Sequence, residues 1–270
     1  MGEPRLELAG ERVHARLLPE RGTNGGYSLV IDGTTQSHVN PVDPLDLQLE
    51  YARLVAAVID GCRGAGEPLR VLHLGGGALT IPRYVGATRP GSVQHVVELH
   101  RELFDFVLEV LPLDDHVELT VEFDDGRAAV QRAARTGGGY DIAVVDVFSG
   151  SVAPRHMSTV EFFSELGQLM SPDGVVVVNT LATSGLEMSR EVAATLRSTR
   201  AEVIALSSPA VVGGSSLGNV VLVASDTSLP GTRIHAHADT GPRPIDLIDA
   251  EALTEFIGNA PVRHDGDDAG

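Results

Sequence analysis

The stretch Val71-Leu72-His73-Leu74-Gly75-Gly76-Gly77-Ala78 constrains this chain more than any other feature. It is an apolar run that breaks into three glycines, and Glu98 follows 23 residues beyond Gly75. A buried strand that opens through glycines into a helix is how a parallel α/β sheet brings backbone close to a nucleotide, with a later carboxylate for ribose hydroxyls. The pattern therefore points to a bound nucleoside.

Composition narrows the chemistry. With 270 residues, 43% of them hydrophobic, the chain can bury the core of one large α/β domain with a small appendage. Thirty-seven acidic residues against 20 basic ones give a formal charge of −17, which disfavours nucleic acid and anionic membrane as partners. Every basic residue is arginine. Without lysine the chain forms no lysine Schiff base and completes no Walker A motif. The single cysteine, Cys62, excludes an intramolecular disulfide and a cysteine-rich zinc site, and it reads as a packing residue at the end of an apolar helix. No apolar run approaches 18 residues, and the polar start Met1-Gly2-Glu3-Pro4 is unlike a signal peptide, so a cytoplasmic location is expected.

The first segment, 1–42, reads as a small antiparallel β cap. Strands are expected at Val13 to Leu18, Tyr27 to Ile31 and Thr34 to Val39, separated by the turns Arg21 to Gly26 and Asp32-Gly33. Leu47, Tyr51, Leu54, Val55 and Val58 then fall on one face of a connecting helix. From Leu69 to Asn179, strands and helices alternate. Strands at Leu69 to Leu74, Val93 to Glu98, Val117 to Val121, Asp141 to Asp146 and Gly174 to Asn179 predict a doubly wound, Rossmann-like parallel sheet over 43–258. Glu202 to Leu206 and Asn219 to Ala224 predict a terminal antiparallel hairpin, and Ala250 to Ile257 a last helix. Ser158 with Glu161 is a capping-box pattern that sets a helix start near Ser158. Residues 259–270 read as a flexible tail.

Ligands of such sheets lie beyond the carboxyl ends of the strands. The first strand ends in Gly75-Gly76-Gly77, the second in Glu98, the third runs into Asp124-Asp125-Gly126 and the fourth ends in Asp146. Glu98 suits ribose hydroxyls, Asp125 an exocyclic adenine amine, and Asp146 the reacting end. Each also has a plainer reading. The glycines suit a tight turn, Glu98 a helix cap near Arg101, Asp125 a helix start and Asp146 a turn. Tyr51 suits either core packing or pocket lining, and His156 either a catalytic base or a solvated loop residue. His73 and the His235-Ala236-His237 pair lack metal-ligand spacing, and no metal is expected.

Taken together, Gly75-Gly76-Gly77, Glu98, Asp125-Gly126 and Tyr140-Asp141-Ile142-Ala143-Val144-Val145-Asp146 resemble the successive motifs of spermidine synthases and related polyamine aminopropyltransferases. The resemblance runs from about Gly26 to Ala224 and includes the cap segment Val30 to Gln36. It implies a methyltransferase-type sheet, an N-terminal β domain, a homodimer, and decarboxylated S-adenosylmethionine as co-substrate. It places Gln36, Gly75 to Gly77, Glu98, Asp125 and Gly126 against that donor and Asp146 at proton removal from the attacking amine. Tyr51 and Ser149 fall where the amine substrate is bound. Two positions depart from the family. Ala78 stands where an aspartate normally holds the donor's ammonium group, and Ser149 where a second aspartate follows the catalytic one. The expected activity is therefore aminopropyl transfer to an amine with release of methylthioadenosine. The alternatives are methyl transfer from S-adenosylmethionine and a non-catalytic nucleoside-binding protein on the same fold.

Overall fold

The computed structural model describes residues 4–8, 13–135, 137–148, 153–182 and 185–267. A four-stranded antiparallel sheet comes first: β1 (Arg5–Leu8), β2 (Val13–Pro19), β3 (Tyr27–Ile31) and β4 (Thr34–Val39), in that spatial order. Its one strand not foreseen in the sequence is β1, only four residues long, which pairs antiparallel with β2.

Helix α1 (Glu50–Cys62) leads to β5 (Arg70–Leu74), α2 (Thr80–Thr88), β6 (Val93–Glu98), α3 (Arg101–Val110), β7 (Glu118–Phe123), α4 (Gly126–Ala133) and β8 (Tyr140–Val145). After a single 3-10 turn at Arg155–Met157 come α5 (Val160–Gly167), β9 (Met170–Ala182), α6 (Glu187–Thr199), β10 (Glu202–Ser207), α7 (Pro209–Val212) and β11 (Gly218–Ser225). Helix α8 (Gly231–Ala238), β12 (Asp246–Ile248) and α9 (Ala250–Ile257) close the described chain. The large sheet has the order β12-β10-β11-β9-β8-β5-β6-β7. Strands β5 to β9 are parallel, and β10 to β12 turn the far edge antiparallel, β12 adding a strand beyond the expected hairpin.

Both faces of this sheet are covered, which is why its central strands are apolar throughout rather than alternating. Ala143, Val145, Val176 and Val178 enter a core with Phe162, Phe163 and Leu166 of α5 and Leu196 of α6. Ile142, Val144, Val175 and Val177 enter the opposite core with Leu54, Val55 and Val58 of α1 and Ile234 of α8. The apolar face of α1 is thus packed inside the chain. The cap rests on α3 through a third cluster, in which Ala15, Leu17 and Leu29 meet Leu103 and Val107.

Two local expectations are corrected. The N-cap of α5 is Thr159, whose Oγ1 accepts from Phe162 N at 3.2 Å, while the Ser158 hydroxyl donates to the Arg155 carbonyl. The chain must finish the 3-10 turn before the helix can begin. Residues 259–267 are docked rather than free: Arg263 is buried, pairs with Glu191, and offers its carbonyl to Val160 N at 2.9 Å. Arginine fixed at both backbone and side chain overrides the polar, tail-like composition.

Candidate functional site

The site is built where the parallel strands end. Gly75 closes β5 with φ +95°, and a Cβ there would collide with the Asp146 carbonyl oxygen. Glycine is required on both counts. Its N–H donates to Val97 O at 2.9 Å, and the Asp146 N–H donates to Leu74 O at 2.9 Å, so the ends of β5, β6 and β8 are tied together.

Glu98 lies at the end of β6 and is 8% exposed. Its Oε2 accepts from Gly76 N and its Oε1 from His100 N, both at 2.9 Å. The carboxylate therefore bridges the glycine turn and the start of α3. One lone pair on each oxygen stays open, enough for a pair of ribose hydroxyls.

Asp125 is the N-cap of α4. Its Oδ1 accepts from Arg127 N and Ala128 N, each at 3.0 Å, while Oδ2 meets His156 Nε2 at 2.8 Å. Burial pushes this carboxyl up, but the His156 bond and the two amides outweigh it and hold the pKa below the ordinary value. The next residue, Gly126, is covered by Met157 Cε, which would have to shift to admit a side chain there.

Asp146 is where the electrostatics depart most from the ordinary. Burial raises its carboxyl to about 6, against the opposing bonds from Asn179 and Tyr51. Asn179 Nδ2 donates to Asp146 Oδ1 at 2.8 Å, and Asn219 Nδ2 donates to Asn179 Oδ1 at 3.0 Å. From the other side the Tyr51 hydroxyl bonds Asp146 and is itself bonded to Ser37. Ser37 Oγ also lies 3.4 Å from Ala78 N. Burial, and then the Asp146 charge, push the Tyr51 phenol above its usual range, so it stays a donor. Two hydrogen-bond chains, one from β11 through β9 and one from the cap through α1, converge on a single carboxylate.

Comparison with known proteins agrees with this arrangement. No protein-family model matches the sequence. A polyamine aminopropyltransferase of Vibrio vulnificus is 30% identical over 188 residues, covering 70% of this chain and 60% of that protein. The chain thus spans less than two thirds of that relative's length. The crystal structure of a probable spermidine synthase from Corynebacterium glutamicum superposes with a TM-score of 0.86 at 28% identity, covering 98% of this chain and 96% of that one. In sequence and in fold the chain is similar to the spermidine-synthase-like family. The spermidine synthase of Thermotoga maritima shares the fold at a TM-score of 0.61 and 14% identity, with 98% and 80% of the two chains covered.

Within this spermidine-synthase-like frame, Gly75, Gly76, Gly77, Glu98, Asp125, Gly126, Asp146 and Tyr51 all stand at the strand ends or border them. Gln36 sits at a β-bulge: Leu29 pairs with Ser37 and Val30 with Thr35, so Gln36 is the extra residue on β4. A bulge re-aims a side chain, and such irregularities gather beside active sites. Ser149 lies outside the described residues. Tyr51 has its ring in the apolar cluster of α1 and its hydroxyl on Asp146.

Ala78 is not a vacated anchor. It is fully buried in the cluster that joins the cap to α3, among Leu17, Leu29, Leu103 and Val107. Of the acidic residues on the flanking helices, Glu50 at the start of α1 faces Arg243 at 3.9 Å and Glu102 is exposed on α3. The sequence reading missed Asn179, Asn219 and Ser37. Asn179 carried a signal, a polar residue ending the apolar run Val175 to Val178, as Asp146 ends its own strand. Among the described residues no cluster of His, Cys, Asp or Glu has the makings of a metal site, and no helix is long and apolar enough to cross a membrane.

Proposed function

We propose that the protein transfers an aminopropyl group from decarboxylated S-adenosylmethionine to an amine and releases methylthioadenosine. The observation that carries this reading is the Asp146 carboxyl, raised to about 6 and held by Tyr51 and Asn179 beside the Gly75 turn. A general base works best with a pKa near the operating pH. The amine nitrogen forms a bond to the propyl carbon next to the sulfonium, and the carbon–sulfur bond breaks with its electron pair going to sulfur. Asp146 takes the proton the nitrogen sheds.

Because the sulfonium is already a good leaving group, the chain's task is mainly positioning. Glu98 accepts the ribose hydroxyls through its two open lone pairs, Asp125 and Gly126 border the adenine, and the glycine turn admits the backbone close to the nucleoside. Gln36 on its bulge closes the donor side from the cap. Tyr51 and Ser149 belong to the amine side. The support is the joint placement of Gly75, Glu98, Asp125 and Asp146 at neighbouring strand ends, together with the names of the relatives.

Incubation with decarboxylated S-adenosylmethionine and a panel of mono-, di- and polyamines tests the reading, with methylthioadenosine as the product followed. Turnover with at least one amine is expected. No methylthioadenosine with any amine, combined with methyl transfer from S-adenosylmethionine, would overturn it.

A further inference from the structure

The docked C-terminal residues reach the donor side of the site through one arginine. Arg127 follows Gly126 in the first turn of α4, and its side chain is 12% exposed. Nη1 and Nη2 donate to the two carboxylate oxygens of Asp265, both at 2.6 Å, and Nε donates to Glu165 Oε2 at 3.3 Å. Nη1 also donates to the His156 carbonyl oxygen at 3.2 Å. Two residues before Asp265, Arg263 Nη1 donates to Ser158 Oγ at 2.8 Å, while its Nε donates to Glu191 Oε2 at 2.7 Å. The Asp265 N–H in turn donates to Glu161 Oε2 at 3.0 Å.

The two groups so held, the His156 carbonyl and the Ser158 hydroxyl, flank Met157. Met157 is the residue whose methyl covers Gly126, and His156 is the residue whose imidazole sits on Asp125. Between the C-terminal residues and this turn lies a cleft of about 270 Å³ lined by Arg155, His156, Thr159 and Asp265. The C-terminal segment is therefore not packed solidly against the turn; it holds the turn through discrete polar anchors. Isolated surface ion pairs contribute little, but a bidentate arginine within a network fixes geometry.

We propose that residues 263–267 form a strap that positions the 156–158 turn over Asp125 and Gly126, with Arg127 as the connecting residue, and so sets affinity for the nucleoside. The part about affinity rests on the donor-binding reading above. Neither Arg127 nor Asp265 touches substrate in this arrangement; both act through the turn.

The test replaces Asp265 and follows two readouts: amide hydrogen exchange of residues 153–158 without ligand, and calorimetric binding of 5′-methylthioadenosine. Asp265→Ala is expected to speed exchange in the turn about tenfold and weaken methylthioadenosine binding about tenfold, the low end for groups that orient ligand-binding residues. Asp265→Glu, which keeps the carboxylate, is expected to recover both. If Asp265→Ala fails to fold, Asp265→Asn is read in its place. Unchanged exchange in the turn, or unchanged affinity despite faster exchange, would overturn the proposal. Should the wild-type protein not bind methylthioadenosine at all, the donor-binding reading fails, and the exchange measurement alone still decides whether the strap holds the turn.

Discussion

Asn179 Nδ2 donates to Asp146 Oδ1 at 2.8 Å, one step beyond the Val145–Val178 pair of the parallel strands β8 and β9. Neither residue is near the other in sequence, and the bond exists only because the two strands are in this register. Asn219 holds Asn179 in turn, so the orientation of the Asp146 carboxyl is set three strands deep in the sheet.

Replacing the carboxyl separates catalysis from binding. Asp146→Asn is expected to lower turnover by about 100- to 10,000-fold, the usual span for a lost general base, while methylthioadenosine affinity stays within about threefold. The same change is expected to stabilise the fold near pH 7. A carboxyl raised from 3.8 to about 6 favours its protonated form in the folded state, so its contribution is present below 3.8 and lost as pH rises through 6. Removing the charge should raise the unfolding midpoint by a few degrees, on the order of 1 kcal/mol. Steady-state kinetics and a thermal melt check the two halves.

Asn179 reports on the same carboxyl through pH. Its bond lowers the Asp146 pKa, so Asn179→Leu should raise it further and move the acid limb of kcat/KM to higher pH. In the wild type that limb is expected near pH 6. An acid limb that does not move in the variant argues against Asp146 as the group that titrates.

Restoring the family's aspartate should fail. Ala78→Asp puts a carboxyl at a fully buried position in the cluster of Leu17, Leu29, Leu103 and Val107. Overpacking and an unpaired buried polar group together should cost at least about 2 kcal/mol. The unfolding midpoint should fall by roughly 5 °C or more, with no gain in affinity for the decarboxylated donor. Recovery of donor binding without a loss of stability would contradict the placement of Ala78.

His73 gives the fold an acid-sensitive point. It is buried in β5 with Nε2 at 2.9 Å from Gln94 Oε1, and burial depresses its pKa from 6.5 to about 4. The unfolded chain therefore binds the proton more readily. The contribution is present above 6.5 and is lost as pH falls toward 4. His73→Gln should flatten the decline in unfolding free energy between neutral and about pH 4.5 by about 2 kcal/mol, measured by denaturant titration at the two pH values.

Much of the scaffold was legible in the chain because it is written in local patterns. The runs at Val93 to Glu98 and Tyr140 to Val145, the glycine triplet and the helix at Ala250 to Ile257 all declare themselves through periodicity, β-branching and breakers. Strand β1 and the edge strand β12 did not, because each is short and draws its stability from one neighbouring strand. Asp125 shows the same division inside the site. Its position after a strand was visible, but that its two oxygens are taken by a helix start and by His156 depends on a turn folding back over 31 residues of chain.

The sequence by itself determined that this chain folds as a parallel α/β sheet with carboxylates at successive strand ends, since spacing and residue type alone dictate which groups emerge there. It also determined that the first strand of that sheet breaks into a glycine turn. Only the tertiary structure decided what those groups do to one another. Asp146 has a raised pKa because its burial outweighs the two converging hydrogen-bond chains, which lower it, and those chains begin on β11 and on the cap. Ala78 belongs to the core because the cap closes over it. Long-range packing sets the dielectric and the partners of a side chain, and no local pattern encodes either.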